Sequence, residues 1–188
     1  MGEWFGTLEN LVMQFTALTL DGAFLITPEK REDDRGFFAR VFCVEEFNQH
    51  TLCTQWQQAN VAHNKQRGIT RGMHYQHAPD AEVKLVRCTK GSVFDAIVDM
   101  RPDSSTFRQW LGVELSEQNQ HMLYVPTGFA HGYQVLEDNS DLHYMVSAGY
   151  APESEDGLRW NDPAVGIEWP ISSGVLLSEK DKNWSLLD

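Results

Sequence analysis

The sequence predicts an all-β fold, a β-sandwich or barrel, because short strand-like segments and turns alternate along most of the chain. From Thr54 onward, these segments are separated by turn residues such as Gly68, Gly91 and Gly128. No long amphipathic helical pattern interrupts them, which is typical of sandwiches and barrels. A chain of 188 residues is long enough for one domain with a substantial core. We therefore expect one domain over residues 1–188.

The first quarter of the chain has a less regular pattern. Residues 1–13 are typical of either a short helix or a mobile leader, and residues 15–26 are apolar and strand-prone. Residues 29–34 predict a charged loop, residues 35–38 open another strand, and residues 44–50 predict one or two helical turns. At the other end, the Pro-, Trp- and Gly-containing residues 151–188 predict ordered loops with a late helical turn.

Charge and cysteine content exclude several classes of protein. The formal net charge of -12 argues against a general nucleic-acid binder, although a few local arginines can still bind a small anion. The three cysteines lack metal-ligand spacing and imply no disulfide framework. There is no signal-peptide pattern and no apolar run long enough to span a bilayer, so we expect a cytoplasmic protein with no membrane partner.

The segment 69–76 is unusual because one face of the predicted strand carries a titratable ring among small and polar side chains. Strand alternation puts His74 on that face and Arg71 on the opposite face. A histidine by itself is more often structural than catalytic. On the next strand, however, Lys84 shares a face with apolar residues, which is costly unless its ammonium has a partner or extends to solvent. Together, His74 and Lys84 favour a polar site.

Three acidic or phenolic groups allow both an ordinary and a functional interpretation. Asp95 belongs either to a half-exposed strand or to an ion pair with a site cation such as Lys84. Tyr144 lies between apolar neighbours and would ordinarily be a core tyrosine. Residues 178–181, which include Asp181, ordinarily form a solvated tail.

The segment 126–131, Pro-x-Gly-x-x-His, is similar to the second metal-binding motif of the cupins and places His131 after a tight turn. The first cupin motif requires His-x-His, and here Gln76 stands in place of its second histidine. Only His74, His131 and Glu82 are left as candidate ligands, whereas a metal site needs three or four convergent ones. The sequence therefore does not favour a metal.

A set of short motifs in a fixed order, from about Phe15 to Leu187, resembles the dTDP-4-dehydrorhamnose 3,5-epimerase family of sugar-nucleotide enzymes. The resemblance implies a double-stranded β-helix (a cupin-like jelly roll) with minor short helices, a homodimer, and catalysis without metal or organic cofactor. It also suggests a role in bacterial surface polysaccharide assembly. The motifs are Asp34-Arg35-Gly36-Phe37-Phe38, Gln58-x-Asn60, Arg71-Gly72-Met73-His74-Tyr75-Gln76, Lys84-Leu85-Val86, Gly128-Phe129-Ala130-His131-Gly132, Tyr144, Tyr150-x-Pro152, Trp160-Asn161-Asp162-Pro163 and Leu177-Ser178-x-Lys180-Asp181.

The resemblance also implies a chemistry. The substrate would be a nucleoside-diphospho-4-keto-6-deoxysugar, whose C3 and C5 hydrogens are acidic because they adjoin the C4 ketone. His74 would be the base, Asp181 would orient it, Tyr144 would be the opposing acid, and Lys84 would stabilise the enolate oxygen. Arg35 and Arg71 would bind the diphosphate. The remaining residues that the resemblance assigns to the substrate site are Phe38, Arg40, Gln58, Asn60, Asp95, His131, Tyr150, Glu155 and Lys180.

The sequence departs from the family pattern at two places. The family has a glutamate where this chain has Arg40, and that glutamate accepts a hydrogen bond from thymine. Because arginine only donates, we predict a CDP- or GDP-linked sugar in preference to a dTDP-linked one. The family's Ser-x-Ser is replaced by Ala62-His63-Asn64, which changes contacts near the phosphates or the sugar.

Three alternative functions stay open at this point. The first is a 3,4-ketoisomerase on the same scaffold, which Tyr144 disfavours because a transfer on one face needs no opposing acid. The second is a metal-dependent cupin enzyme that uses His74 and His131. The third is a module that only binds sugar nucleotides, which the presence of a full catalytic set disfavours.

Overall fold

A computed structural model describes residues 12–187 of the chain. The predicted leader or short helix at residues 1–13 therefore lies almost wholly outside the described residues. Within residues 12–187 the chain forms thirteen strands and two short helices. Neither helix in this range is long and apolar enough to cross a membrane. The elements are β1 (Met13–Ala17), β2 (Phe24–Pro28), β3 (Lys30–Asp33), β4 (Gly36–Ala39), α1 (Val44–Gln49), β5 (Gln58–Asn64), β6 (Thr70–Gln76), β7 (Lys84–Lys90), β8 (Ser92–Asp99), β9 (Trp110–Ser116), β10 (Met122–Val125), β11 (Phe129–Val135), β12 (Ser140–Val146), β13 (Glu155–Gly157) and α2 (Glu179–Lys182).

Two antiparallel sheets pack face to face as a jelly roll. The first has six strands in the order β1-β2-β10-β7-β12-β5, and the second has five in the order β13-β6-β11-β8-β9. The main core lies between them, where Val86 and Leu142 of the first sheet meet Val93, Ile97 and Val135 of the second. The all-β, double-stranded β-helix fold with minor helices is thus confirmed.

The predicted helix at residues 44–50 is confirmed as α1, which covers the outer face of the six-stranded sheet. Phe47 of this helix is fully buried with Ile26, Leu85 and Met122. Burial of these side chains is the favourable term that anchors such a short helix, since six residues are too few to be helical in isolation.

The prediction of a charged loop at residues 29–34 is wrong. Residues Lys30–Asp33 form β3, which pairs with β4 in a separate two-stranded sheet. The charged side chains are compatible with a strand because β3 is largely exposed and its charges stay in water.

The strand that carries Asp95 was expected to be half-exposed in the ordinary interpretation. This interpretation is also wrong, because both faces of that strand, β8, are buried. Val93 and Ile97 face the main core. On the other face, Ala96 and Val98 pack beneath the C-terminal segment, which contributes Trp169 to the same cluster.

A β-bulge in β6 reverses the alternation of its side chains and brings two candidate site residues together. His74 pairs with His131 and Arg71 pairs with Tyr133, so two residues of β6 oppose Gly132 alone. Gly72 has a φ of +105°, and a Cβ there would lie 2.7 Å from both the Gly132 Cα and the His131 carbonyl oxygen. Only glycine fits this close approach. The extra residue brings Arg71 and His74 to the same side, so their predicted placement on opposite faces is wrong.

Candidate active site

A cavity of about 240 Å³ is lined by strands of both sheets, and together with its two neighbours it collects most of the side chains that the sequence predicted. It adjoins a second cavity of about 350 Å³ and a third of about 450 Å³, and His74 lines all three. The first is lined by Ala62, Arg71, His74, Lys84, His131, Gly132, Tyr133, Leu142 and Tyr144. The second adds Gln58, Asn60, Glu82, Val146, Tyr150 and Glu155.

His74 is oriented by a buried carboxylate. Its Nε2 lies 2.5 Å from Oδ1 of Asp181, whose side chain is only 5% exposed. Burial works against the charge of Asp181, but the hydrogen bonds from His74 and from Ser178 lower its pKa below the ordinary value. Because the carboxylate accepts, Nε2 carries the proton. Nδ1 is then left as a basic nitrogen that has no hydrogen bond from residues 12–187.

Asp181 reaches this position because α2 docks against β6. Ser178 caps the helix by accepting a hydrogen bond from the Asp181 backbone N–H at 3.0 Å. The chain before α2 is fixed to the same sheet, since the Thr70 N–H donates to the Leu176 carbonyl at 2.8 Å. The solvated-tail interpretation of residues 178–181 is therefore wrong at Asp181.

Lys84 projects into the cavity from β7 and has a carboxylate partner. Its Nζ lies 3.0 Å from Oε1 of Glu82 and 3.4 Å from the carbonyl oxygen of His74. Both charged side chains are largely buried, at 11% and 13% exposure. The predicted pairing of Lys84 with Asp95 is therefore wrong.

Asp95 instead pairs with His131 on the neighbouring strand. The two residues are diagonal neighbours in the β8–β11 ladder, and His131 Nε2 lies 2.8 and 3.0 Å from the two carboxylate oxygens. Asp95 is fully buried, whereas His131 lines the cavity. Asp95 thus lies behind His131 and fixes the orientation of its ring.

Tyr144 reaches the cavities from β12, across from His74. It lies between Leu142, which lines the first cavity, and Val146, which lines the second. Burial, followed by the nearby negative charge of Glu82, raises the pKa of Tyr144 above the ordinary tyrosine value, and Arg71 partly opposes this. The phenol therefore stays protonated and able to donate a proton at neutral pH.

A polar network closes the outer side of the second cavity. The Tyr150 hydroxyl donates to Glu155 Oε2 at 2.7 Å, and Lys180 forms an ion pair with the same carboxylate oxygen. Gln58 and Asn60, on the edge strand β5, line the same cavity. Four of these residues line the second cavity, and Lys180, which lines the third, joins the two through Glu155.

Arg35, Phe38 and Arg40 do not line these three cavities. Arg35 and Phe38 belong to the exposed β3–β4 region, where Arg35 Nη2 lies 2.5 Å from Asp33 Oδ2. Arg40 Nη1 lies 3.0 Å from Oε1 of Glu46 in α1. Their assignment to the substrate site stays a prediction.

Two residues near the site were not assigned a role there from the sequence. Glu82 was considered only as a metal ligand, although its spacing of two residues from Lys84 puts both side chains on one face of an extended chain. Trp184 packs edge-on to His74, with ring centroids 6.1 Å apart, and its position in an irregular tail gave no such signal. Within residues 12–187, no three His, Cys, Asp or Glu side chains converge in a way that could hold a metal ion.

Comparison with known proteins decides the family. The family model described as dTDP-4-dehydrorhamnose 3,5-epimerase matches residues 17–188. The chain belongs to the dTDP-4-dehydrorhamnose 3,5-epimerase family. Membership makes the protein a nucleotide-sugar epimerase, which is an isomerase.

Individual members of the epimerase family agree over nearly the whole chain. The enzyme named dTDP-4-dehydrorhamnose 3,5-epimerase from Sinorhizobium fredii is 42% identical over 171 residues, which are 91% of this chain and 88% of the relative. A crystal structure of the Bacillus anthracis epimerase with TDP and PPi bound has a TM-score of 0.90 at 36% identity, covering 94% of this chain and 100% of that one. The Legionella pneumophila epimerase in complex with dTDP-4-keto-L-rhamnose has a TM-score of 0.88 at 37% identity, covering 93% of each chain.

Proposed function

We propose that the protein is a cofactor-independent epimerase that inverts C3, C5 or both centres of a nucleoside-diphospho-4-keto-6-deoxysugar. The observation that carries this proposal is the convergence of His74, Tyr144 and Lys84 on the same two cavities, with Asp181 bonded to His74. A base, an acid and a cation are the three groups that inversion next to a ketone requires.

The reaction begins when Nδ1 of His74 removes the proton from the carbon next to the C4 ketone. The electron pair of the broken C–H bond forms a C=C bond, and the carbonyl π electrons move to the C4 oxygen to give an enolate. The ammonium of Lys84 stabilises that oxygen, because a preorganised charge in a largely buried site acts without water reorganisation. Asp181 stabilises the imidazolium that forms on His74.

The reaction ends when Tyr144 donates its phenolic proton to the opposite face of the same carbon and the ketone re-forms. The configuration inverts because the proton leaves from one face and a proton returns to the other. The phenolate and the imidazolium then return to their starting forms by proton exchange with solvent, so the cycle consumes no other reactant.

Arg71, which lines the cavity next to this centre, binds the diphosphate together with Arg35, while His131 lines the same cavity. The crystal structures of the relatives support this part of the proposal, since one contains TDP and PPi and another contains dTDP-4-keto-L-rhamnose. A nucleoside diphosphate carries the negative charge that these basic side chains attract.

The second part of the proposal concerns which nucleotide base the substrate carries. Because Arg40 has only donors, we propose cytosine or guanine, whose acceptors it could reach after leaving or sharing its contact with Glu46. Calorimetry with CDP, GDP and dTDP measures the preference directly. Tightest binding of dTDP by the wild-type protein would reject this part, and Arg40→Glu is the variant expected to gain affinity for dTDP.

Deuterium incorporation from D2O tests the reaction itself. With a 4-keto-6-deoxyhexose linked to each of the three nucleoside diphosphates, deuterium should enter C3, C5 or both. Incorporation should be lost in His74→Ala and reduced in Tyr144→Phe. The matched control is His77→Asn, because His77 follows the same strand but lies outside the three cavities. No exchange with any of these substrates would end the proposal, and NMR of the product separates epimerisation from movement of the carbonyl to C3.

We further propose a cytoplasmic homodimer in which each copy is one domain over residues 1–188. The edge strand β5 exposes Val61 at 67%, and the β3–β4 region exposes Phe37 at 49%. Apolar side chains on a sheet edge and on a protruding hairpin are typical of a surface that a second copy covers. Light scattering coupled to size exclusion should give twice the monomer mass of 21.5 kDa.

A further inference from the structure

Asn64, at the end of β5, is fully buried and forms four hydrogen bonds, two within its own sheet and two with side chains of the other sheet. Its Nδ2 donates to the carbonyl oxygens of Ala62 at 3.0 Å and Ser140 at 3.3 Å. Its Oδ1 accepts from Arg71 Nε at 3.0 Å and from the Tyr133 hydroxyl at 3.2 Å. All four hydrogen-bonding positions of this side chain are therefore used.

These contacts permit only one orientation of the amide. Turning the amide over would place Oδ1 against two carbonyl oxygens and Nδ2 against the Arg71 donor, so three of the four contacts would become repulsive and only the Tyr133 hydroxyl, which can also accept, would keep a hydrogen bond. A buried polar group without partners is costly, and the native orientation is therefore held firmly. The oxygen of Asn64 is thus a fixed acceptor behind Arg71 and Tyr133, which line the cavity.

Arg71 differs from the other basic side chains of this cavity. Lys84 has Glu82, His131 has Asp95 and His74 has Asp181 as a carboxylate partner. Within residues 12–187, no carboxylate oxygen lies within 4.0 Å of the Arg71 guanidinium, and its hydrogen-bond partner is the neutral amide of Asn64. Arg71 therefore offers its full positive charge to an anion.

The position of the Asn64 contact on the guanidinium determines which of its N–H groups remain available to a ligand. Because Nε is engaged, the edge of the guanidinium that carries both Nη groups is left for a second partner. That edge presents two parallel N–H donors, which is the arrangement that binds a phosphate through two oxygens. An arginine side chain without such a contact would sample many rotamers and lose more freedom on binding.

We propose that Asn64 is a positioning residue that fixes the Arg71 guanidinium to receive the diphosphate of the substrate. The inference rests on the proposed function, which assigns the diphosphate to Arg71. Asn64 touches no substrate atom in this scheme and acts entirely through Arg71. Its effect should therefore disappear when Arg71 is absent.

A double-mutant cycle tests this dependence, with calorimetric binding of inorganic pyrophosphate as the readout, because pyrophosphate removes the question of the base. Asn64→Ser shortens the side chain and should weaken binding about fivefold, within the range of coupling between contacting residues. In an Arg71→Ala background, Asn64→Ser should cause no further loss. The control is Asn119→Ser, the same substitution at an asparagine that lines none of the three cavities, which should change affinity less than about twofold.

The outcomes separate the inference from the proposed function on which it rests. If Arg71→Ala leaves pyrophosphate binding unchanged, the diphosphate assignment fails and the inference fails with it. If Arg71→Ala weakens binding but Asn64→Ser does not, or does so equally in both backgrounds, only the inference is overturned. In the deuterium exchange assay, Asn64→Ser should raise KM while kcat changes less than about twofold, since a positioning role concerns binding. Should Asn64→Ser fail to fold, Asn64→Gln, which keeps the amide but moves it by one methylene, serves the same comparison.

Discussion

His74 Nε2 and Asp181 Oδ1 lie 2.5 Å apart although 107 residues separate them in the chain. This contact keeps the imidazole proton on Nε2. In Asp181→Asn the amide can donate to Nε2 instead, so the opposite tautomer, with the proton on Nδ1, should be favoured. We expect kcat for deuterium exchange to fall about 100-fold, with little change in KM, since a base of the wrong tautomer loses most of the benefit of proton transfer.

The matched control for Asp181→Asn is Glu179→Gln. Glu179 lies in the same short helix, but its side chain is 83% exposed and pairs with Lys182. Its loss should leave kcat unchanged. Equal activity of Asp181→Asn and the wild type would contradict the orienting role.

Glu82 should influence the pH dependence of the reaction through Tyr144. Removal of its negative charge in Glu82→Gln should lower the pKa of Tyr144, because that charge is one of the causes that raise it. The phenol must be protonated to act as the acid, so the alkaline limb of the kcat profile should move to lower pH. The ionisable groups that line the same cavities around Tyr144 are Arg71, His74, Glu82, Lys84, His131, Tyr133, Tyr150 and Glu155.

The shift of the alkaline limb is measured by comparing the kcat–pH profiles of Glu82→Gln and the wild type, with the exposed Glu153→Gln as a control. Titration of phenolate absorbance, with Tyr144→Phe subtracted, reports the same group directly. An alkaline limb that stays in place or moves to higher pH would contradict the influence of Glu82 on the pKa of Tyr144.

Asp99 should matter for stability and not for catalysis. This buried carboxylate accepts from Arg101 Nε at 2.9 Å, Ser104 Oγ at 2.6 Å and Thr106 Oγ1 at 2.7 Å. Burial opposes its charge, but these hydrogen bonds outweigh that effect and hold its pKa well below the ordinary value. Asp99→Asn should lower the free energy of unfolding by about 3 kcal/mol at pH 7.

The pH dependence of this effect has a definite sign. A carboxylate whose pKa is lower in the folded state stabilises the fold above its unfolded pKa, near 3.9, and loses that contribution as pH falls toward the folded pKa. Urea denaturation should therefore show the difference between wild type and Asp99→Asn narrowing below about pH 4. The exposed Asp103→Asn is the control, and a difference that is constant across this range would contradict the linkage.

Gly72→Ala should disrupt the bulge in β6. The added Cβ would lie 2.7 Å from backbone atoms of the neighbouring strand, so the free energy of unfolding should fall by about 3 kcal/mol or more. Gly174→Ala separates the clash from the backbone conformation, because Gly174 also has a positive φ of 71° but nothing within 4 Å of its Cβ position. It should lose about 1 kcal/mol. Equal losses in the two variants would mean that the close approach is not important.

The sequence predicted the site best where it depended on local pattern. Regular alternation correctly grouped Lys84 with Val86 and Tyr144 with Leu142, and the ordered motifs identified Asp181 far along the chain. These inferences succeeded because a strand that lacks a bulge has a fixed period of two.

The errors have a different origin, since each depends on what another segment contributes. The bulge at Gly72 moved Arg71 to the face of His74, and only the partner strand reveals it. Asp95 met His131 because β8 and β11 are neighbours in the sheet, which the order along the chain does not state. The hairpin at Lys30–Asp33 formed because β4 supplies the pairing that outweighs a charged composition.

The bulge in β6 also limits how this strand can change in length. Straightening the bulge without removing a residue would leave Arg71 and His74 three positions apart on a regular pleat, so either the guanidinium or the imidazole would turn toward the core beside Met73. Removing one residue together with the bulge would leave them two positions apart and on one face again, so the length of β6 and its bulge can change only together.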